Sequence, residues 1–346
     1  MLIIGCDFHS RFQQIVILDS ETGEFEERRL DHLNGEVRAF YSSLPVPALV
    51  GIESTGYTVW FAELMSELGH ELVVGNAAKI RASETRLQKY DGRDAWHIME
   101  LLAEGKFPRI WLPSDEERDV RVLLNHRHSL VEMRTRVKNG LQALALSRNL
   151  CEGRKLWTRA GQEAFAALPM REAPSRRRQD LLARLDQLNG WIRELDERLR
   201  QEAEKRPEAR RLQTHPGVGP LTALATVVVL GPAERFAEGR KVASYLGLIP
   251  SEHSSSGRQH FGHLTKQGNS LLRFLLIEAA QSACRWDAEL KRDYKRWAFR
   301  HGWAKARVAV ARKLAIRLYI LLRDQIDYAE FVRRASHAGM PGLRLV

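Results

Sequence analysis

The chain has 346 residues, 44% of them hydrophobic, with 54 Lys and Arg against 43 Asp and Glu, a formal net charge of +11 and an isoelectric point of about 9.8. That length accommodates two or three domains, and the plentiful acids exclude a mere basic tail; a folded, arginine-rich protein with nucleic acid as its leading partner fits best, because the planar guanidinium forks onto phosphate. Cys6, Cys151 and Cys284 stand in no metal-ligand spacing and give no basis for a disulfide framework, while no segment approaches the ~20 apolar residues that span a bilayer, so a reducing cytoplasm with no membrane association is the expected setting.

The first residues read as three strands. Leu2 to Cys6 is a buried run, Gln14 to Leu18 is a second, and after the turn Asp19-Ser-Glu-Thr-Gly23 an alternating stretch runs from Glu24 to Leu30. A helix is expected from Glu36 to Leu44, a strand from Ala48 to Glu53, an amphipathic helix from Thr58 to Leu68 and a short strand from Glu71 to Val74. Three opening strands followed by alternating helix and strand are the order of a ribonuclease-H-like fold, expected here over residues 1–113.

From Asp115 to about Arg206 glycine and proline thin out and charge rises. Leu123, Leu130, Val137 and Leu144 recur every seven residues, and Leu181, Leu185, Leu188, Ile192, Leu195 and Leu199 alternate steps of four and three. Both patterns suit a coiled-coil seam, either an antiparallel hairpin or a zipper to another subunit, and define a helical region over 114–207; an ordinary helical bundle carries the same stripes.

A mainly helical third region spans 208–346. His215-Pro-Gly-Val-Gly219-Pro220 opens the apolar helix Leu221 to Leu230 and looks like half of a helix-hairpin-helix, in which Gly217 and Gly219 let backbone N–H groups approach a phosphate; a tight turn with an N-cap has the same sequence. A helix is expected from Phe236 to Leu248, then a polar loop, Ser251-Glu-His-Ser-Ser-Ser-Gly-Arg258, a strand-like Gln259 to Leu264 and a long helix from Ser270 to Arg285. The stretch from Tyr294 to Arg323 mixes Arg and Lys with Trp297, Phe299, Trp303 and Tyr319. Such a mixture serves equally to stack on bases and bind phosphate or to form a helical pair with snorkelling cations.

Asp7, Glu53, Asp91 and Asp94 are the candidate catalytic and metal-ligating residues. Asp7 ends the first apolar run and Glu53 ends Ala48-Leu-Val-Gly-Ile-Glu53, while Asp91 and Asp94 lie one helical turn apart in Lys89-Tyr-Asp-Gly-Arg-Asp94. Two strand ends and a helical turn bring such carboxylates to one point, where they repel unless a hard divalent cation, Mg²⁺ or Mn²⁺, sits among them. Carboxylate-held metals cut and join phosphodiesters. An acid ending a buried strand is costly unless paired, whereas acids at i and i+3 also suit an exposed helix face. His9 and His97 read as hydrogen-bonded structural histidines ahead of the alternative that they assist the metal site.

Taken in order, Gly5-Cys-Asp7-Phe-His9, Gly51-Ile-Glu53-Ser-Thr-Gly56, Lys89-Tyr-Asp91-Gly-Arg-Asp94-Ala95, Pro216-Gly-Val-Gly219, Tyr245-Leu-Gly-Leu-Ile-Pro250, Ser254-Ser-Ser-Gly-Arg258 and Thr265-Lys-Gln-Gly-Asn269 with Leu272-Arg273 resemble the DEDD transposases of the IS110 insertion-sequence family over nearly the whole length. The resemblance implies a RuvC-like (ribonuclease-H-like) domain, a coiled coil and a carboxy-terminal transposase domain. It implies site-specific recombination of donor and target double-stranded DNA, guided by a structured non-coding RNA of the element, the bridge RNA. A dimer that assembles to a tetramer on nucleoid DNA is implied too. As in serine recombinases, the implied nucleophile is a serine of the carboxy-terminal domain. Counting five residues past Pro250, or back from Thr265-Lys266, gives Ser255; Ser256, which precedes Gly257, is the alternate and Ser254 the third. Arg258, Lys266 and Arg273 are candidates for nucleic-acid contact. A metal-dependent Holliday-junction nuclease using water as nucleophile is the competing function.

Overall fold

The computed structural model describes residues 1–84, 91–149, 156–252 and 260–337. It divides into two compact units, Met1–Leu112 and Pro113–Val346.

In the first unit, β1 (Leu2–Phe8), β2 (Phe12–Asp19) and β3 (Phe25–Asp31) form an antiparallel meander. Then follow α1 (Glu36–Ser42), β4 (Ala48–Glu53), α2 (Val59–Leu68), β5 (Glu71–Gly75), α3 (Ala77–Ser83) and α4 (Asp91–Ala103). The sheet order is β3-β2-β1-β4-β5, with β4 parallel to both β1 and β5. Parallel neighbours need a crossover, and the connection through α1 supplies the first. Period-two alternation splits the side chains of β1 between faces. Ile4, Cys6 and Phe8 enter a core with Val37, Tyr41, Phe61 and Met65 of α1 and α2. Ile3 joins Ala95, Ile98, Met99 and Leu102 of α4 on the other face. This mixed sheet, covered by helices on both faces, is the RuvC/ribonuclease-H-like fold expected from the strand order.

The second unit is largely helical. Its elements are α5 (Asp115–Leu146), α6 (Arg159–Ala167), α7 (Glu172–Lys205), α8 (Pro207–Leu212), α9 (Pro220–Leu230), α10 (Gly239–Tyr245), β6 (Pro250–Glu252), β7 (Phe261–Leu264), α11 (Ser270–Trp286), α12 (Ala288–His301), α13 (Trp303–Arg323) and α14 (Tyr328–His337). Ser114 starts α5 with a capping box to Glu117. The two long helices pair antiparallel within one chain: Arg127 reaches Asp196 at 2.8 Å, and at the other end Gly140 faces Leu181. The leucine stripes build this contact, with Leu130, Val137, Leu144, Leu185, Leu188 and Ile192 buried together. Leu123 and Leu199 leave that seam and join the main helical core of α9, α11 and α13.

Two expectations shift. The helix expected over 236–248 shortens to α10, because Gly239 at its start lies against Ile316 of α13 and Gly247 turns the chain at φ 63°. Four helices, α3, α6, α8 and α14, were not apparent in the sequence. No helix of the described residues is long and apolar enough to cross a membrane.

Candidate active site

Within the first unit, the register of β1 against β4 pairs Gly5 with Gly51 and Cys6 with Ile52, so Asp7 and Glu53 follow at the carboxyl ends of adjacent parallel strands. Gly5 and Gly51 both face α4. A Cβ at residue 5 would overlap the Ala95 carbonyl and the Met99 amide, and one at residue 51 would lie 2.5 Å from Leu102 Cδ1. Two residues further along each strand, Asp7 and Glu53 share that face by alternation. The bare backbone at these glycines draws α4 onto the sheet, and Asp94 immediately precedes Ala95, the point of closest approach. Asp91 begins α4 one turn earlier; its side chain lies outside the described part of the structure.

The carboxylates have hydrogen-bonding neighbours. His9 Nε2 lies 3.0 Å from Asp7 Oδ2, with the imidazole stacked on Phe12 at a centroid distance of 4.5 Å. Arg81 of α3 donates to Glu53 Oε1 at 2.9 Å. Glu53 is 28% exposed and Arg81 68% exposed, so the guanidinium can swing into solvent at little cost. His97 ties α4 to α3 through Ser83 Oγ at 3.0 Å and the Ile80 carbonyl at 3.2 Å, the structural role expected of it. Among the described residues no group of three His, Cys, Asp or Glu is close enough to hold a metal ion. The donor chemistry nevertheless fits a hard cation: carboxylate oxygens at two adjacent strand ends, and a third acid on the helix drawn to them.

The second unit builds the setting of the serine segment. Gly247, at φ 63°, sits where a Cβ would lie 2.5 Å from the Gln267 carbonyl oxygen, and Gly268, at φ 70°, approaches the Tyr245 carbonyl. These two glycines lock Tyr245–Pro250 against Thr265–Asn269. Thr265 N donates to the Ile249 carbonyl at 3.0 Å, and Asn269 caps α11 by accepting from Leu272 N at 2.8 Å. From this base rises the β6–β7 ladder, in which Glu252 pairs with Phe261. Ser254, Ser255, Ser256 and Arg258 fall in the connection between those strands and lie outside the described residues.

Lys266 is exposed with φ 53°. Arg273 uses one guanidinium nitrogen to hold two carbonyls, Leu246 at 3.0 Å and Gln267 at 2.7 Å, and so braces the loop. Gly217, at φ 83°, lies against the α11 backbone at Ala283 and Ala279. Its lack of a side chain thus serves helix packing. Gly219 is exposed and N-caps α9.

The glycine contacts that position α4, and the Arg81–Glu53 pair, were absent from the sequence reading. Gly5 and Gly51 were quoted as motif residues, and two glycines at matching registers of parallel strands are the signal of a closely approaching helix. Arg81 gives no sequence signal.

Residues 4–148 match a DEDD transposase model of the IS110 type, described as "Transposase". Residues 209–295 match the model "Transposase IS116/IS110/IS902 family". The chain is similar to a "Probable family 20 transposase" of Pseudomonas aeruginosa, 29% identical over 341 residues, covering 94% of this chain and 98% of that protein. It is 30% identical over 253 residues to the "Transposase for insertion sequence element IS1111A" of Coxiella burnetii, covering 69% of this chain and 68% of that protein. The transposase of element IS1328 of Yersinia enterocolitica is 25% identical over 283 residues, covering 81% of this chain and 83% of that protein. The chain therefore belongs to the IS110/IS1111 family of transposases, enzymes that recombine DNA.

Proposed function

We propose that this transposase cleaves and rejoins donor and target DNA through a phosphoserine intermediate, with a carboxylate-held metal assisting. The observation that carries the carboxylate half is the register of Asp7 and Glu53 beside an α4 drawn in at Gly5 and Gly51. For the serine half, support comes from the glycine-locked base of the β6–β7 ladder, the two strands between which residues 254–256 fall in sequence.

Asp7, Glu53, Asp91 and Asp94 would hold Mg²⁺ or Mn²⁺, which when bound polarises the scissile phosphate and stabilises the leaving oxygen. Ser255 attacks in line, with Ser256 as the alternate. Its Oγ–P bond forms as the P–O3′ bond breaks, and the proton lost by the serine is made good on the 3′-oxygen as a free hydroxyl. The ester keeps the bond energy, so resealing by the 3′-hydroxyl of an exchanged strand needs no ATP. Arg258 and Lys266 meet charge on the phosphoryl oxygens, and Gly219 offers the α9 N-terminus to a phosphate. Arg273 and Gly217 shape the loop and turn beside these groups.

In this reading residues 1–113, 114–207 and 208–346 serve as metal domain, helical spacer and serine domain. A bridge RNA selects the DNA sites, and dimers assemble to a tetramer on DNA. A plasmid recombination assay, run with protein co-expressed with the DNA flanking its gene, tests the metal half. Asp7→Asn, Glu53→Gln and Asp94→Asn should each reduce recombinants by at least roughly a hundredfold. Undiminished recombination in all of them would refute it.

A further inference from the structure

The charges of α12 are segregated by face. Its acids turn inward: Lys313 of α13 donates to Glu289 at 2.5 Å and Asp293 at 2.6 Å, and Arg317 donates to Asp287, the N-cap, at 2.5 Å and to Glu289 at 2.6 Å. Lys313, Arg317, Asp287 and Asp293 are all buried, so this network fixes α12 rigidly on α13. The cations turn outward. Lys291, Arg292, Lys295 and Arg300 are exposed along α12, and Lys305 and Arg307 continue past the Gly302 break into α13. None of these six has an acidic partner among the described residues, whereas Arg296 alone of the exposed α12 cations is drawn back, to Asp293 at 3.0 Å. Spacing of i, i+4 places Lys291, Lys295 and Phe299 on one ridge and Arg292, Arg296 and Arg300 on the next.

Two aromatic rings project from the same elbow. Phe299 is 93% exposed and Trp303 62% exposed. The Trp303 ring leans on Tyr294 of α12, with centroids 5.6 Å apart and planes at 50°, which fixes its orientation while leaving most of it open. Cations alone would suit any duplex backbone. Solvent-facing aromatics beside them offer a stacking surface to bases that are already unpaired.

We propose that the α12–α13 elbow binds an unpaired DNA strand, its phosphates along Lys291, Arg292, Lys295 and Arg300 and its bases on Phe299 and Trp303. A recombinase that exchanges strands generates such a strand transiently, and the elbow would hold it. The inference rests on membership of a DNA-recombining family and is independent of the serine and metal chemistry.

The test uses full-length Ser255→Ala protein in Mg²⁺-free buffer, which keeps failure of the cleavage chemistry separate from failure of this surface. Fluorescence anisotropy compares a single-stranded oligodeoxynucleotide, its duplex and the RNA of the same sequence. Phe299→Ala and Trp303→Ala should each weaken single-stranded DNA binding roughly tenfold while leaving the duplex and the melting temperature unchanged, and Trp303→Phe should retain most of the affinity. Lys295→Ala and Arg300→Ala should weaken single-strand binding and each lower its salt slope by about 0.7. Unchanged single-strand binding in both aromatic variants would overturn the proposal. A stronger aromatic-dependent preference for the RNA would overturn its assignment to DNA.

Discussion

Gly5 of β1 lies directly against Ala95 of α4, with no room for a side chain between strand and helix. A methyl group there must push α4 off the sheet, and Asp94, one residue from the contact, moves with it. Gly5→Ala should therefore lower stability by about 1–3 kcal/mol and cut recombination by roughly a hundredfold through misplacement of the acid. Gly56→Ala is the control: the space around it is open, so both thermal unfolding and recombination should match the parent.

Arg81 occupies one oxygen of Glu53 from an exposed position. Exposed ion pairs contribute about 0–1 kcal/mol, so Arg81→Ala should barely change the melting temperature. In the proposed site the guanidinium competes with a divalent cation for the same carboxylate. Titration of recombination against Mg²⁺ should then reach half-maximum at a lower concentration in Arg81→Ala, by several-fold. An unchanged or higher requirement would assign Arg81 to substrate phosphate instead.

His215 sets an acid limit on stability. It is buried, its Nδ1 lies 2.9 Å from the Pro216 carbonyl, and its Nε2 has no partner among the described residues. Burial, reinforced by the Arg317 charge, lowers its pKa from 6.5 to about 4. The unfolded chain therefore binds a proton that the folded chain refuses between those values, and stability must fall as pH drops through that window. The loss amounts to about 3 kcal/mol at most. Denaturant midpoints measured from pH 7 to pH 4 should decline for the parent, and much less steeply for His215→Gln.

Asp287 accepts from Leu290 N, the Tyr328 hydroxyl and Arg317. Burial pushes its pKa up, but these donors outweigh it and hold the carboxyl below its usual value. Asp287→Ala would take one of the two acidic partners from the Arg317 guanidinium, which is only 3% exposed and keeps Glu289, at a cost of about 1–3 kcal/mol. Replacing both partners, Asp287→Leu with Arg317→Met, should recover a large part of that loss in thermal unfolding.

The carboxylates at strand ends were legible because an acid closing an apolar run is conspicuous. Register then followed from ordinary strand pairing. Helix stripes likewise revealed α5 and α7, since Leu130 and Leu185 recur with the period of their own helices; their intrachain pairing was one of two options, and Arg127–Asp196 selects it. What stayed hidden depends on distant neighbours. Arg81 meets Glu53 across 28 positions, and the Gly268–Tyr245 approach is set by tertiary packing rather than by local propensity. The acids of α12 look like surface residues in sequence, and only Lys313 and Arg317 of α13 explain why they face inward.

The most direct measurement is the isolation of a covalent protein–DNA adduct. Protein co-expressed with its native flanking DNA, so that any element-encoded RNA assembles, is incubated with donor and target DNA and Mg²⁺, quenched in SDS, and the adducted peptide is sequenced by mass spectrometry. The expected result is a phosphoester on Ser255, or on the alternate Ser256, that is lost in the corresponding alanine variant and in Asp7→Ala. Cleavage without any adduct, undiminished in every serine variant, would contradict the phosphoserine mechanism and leave a metal-dependent nuclease that uses water.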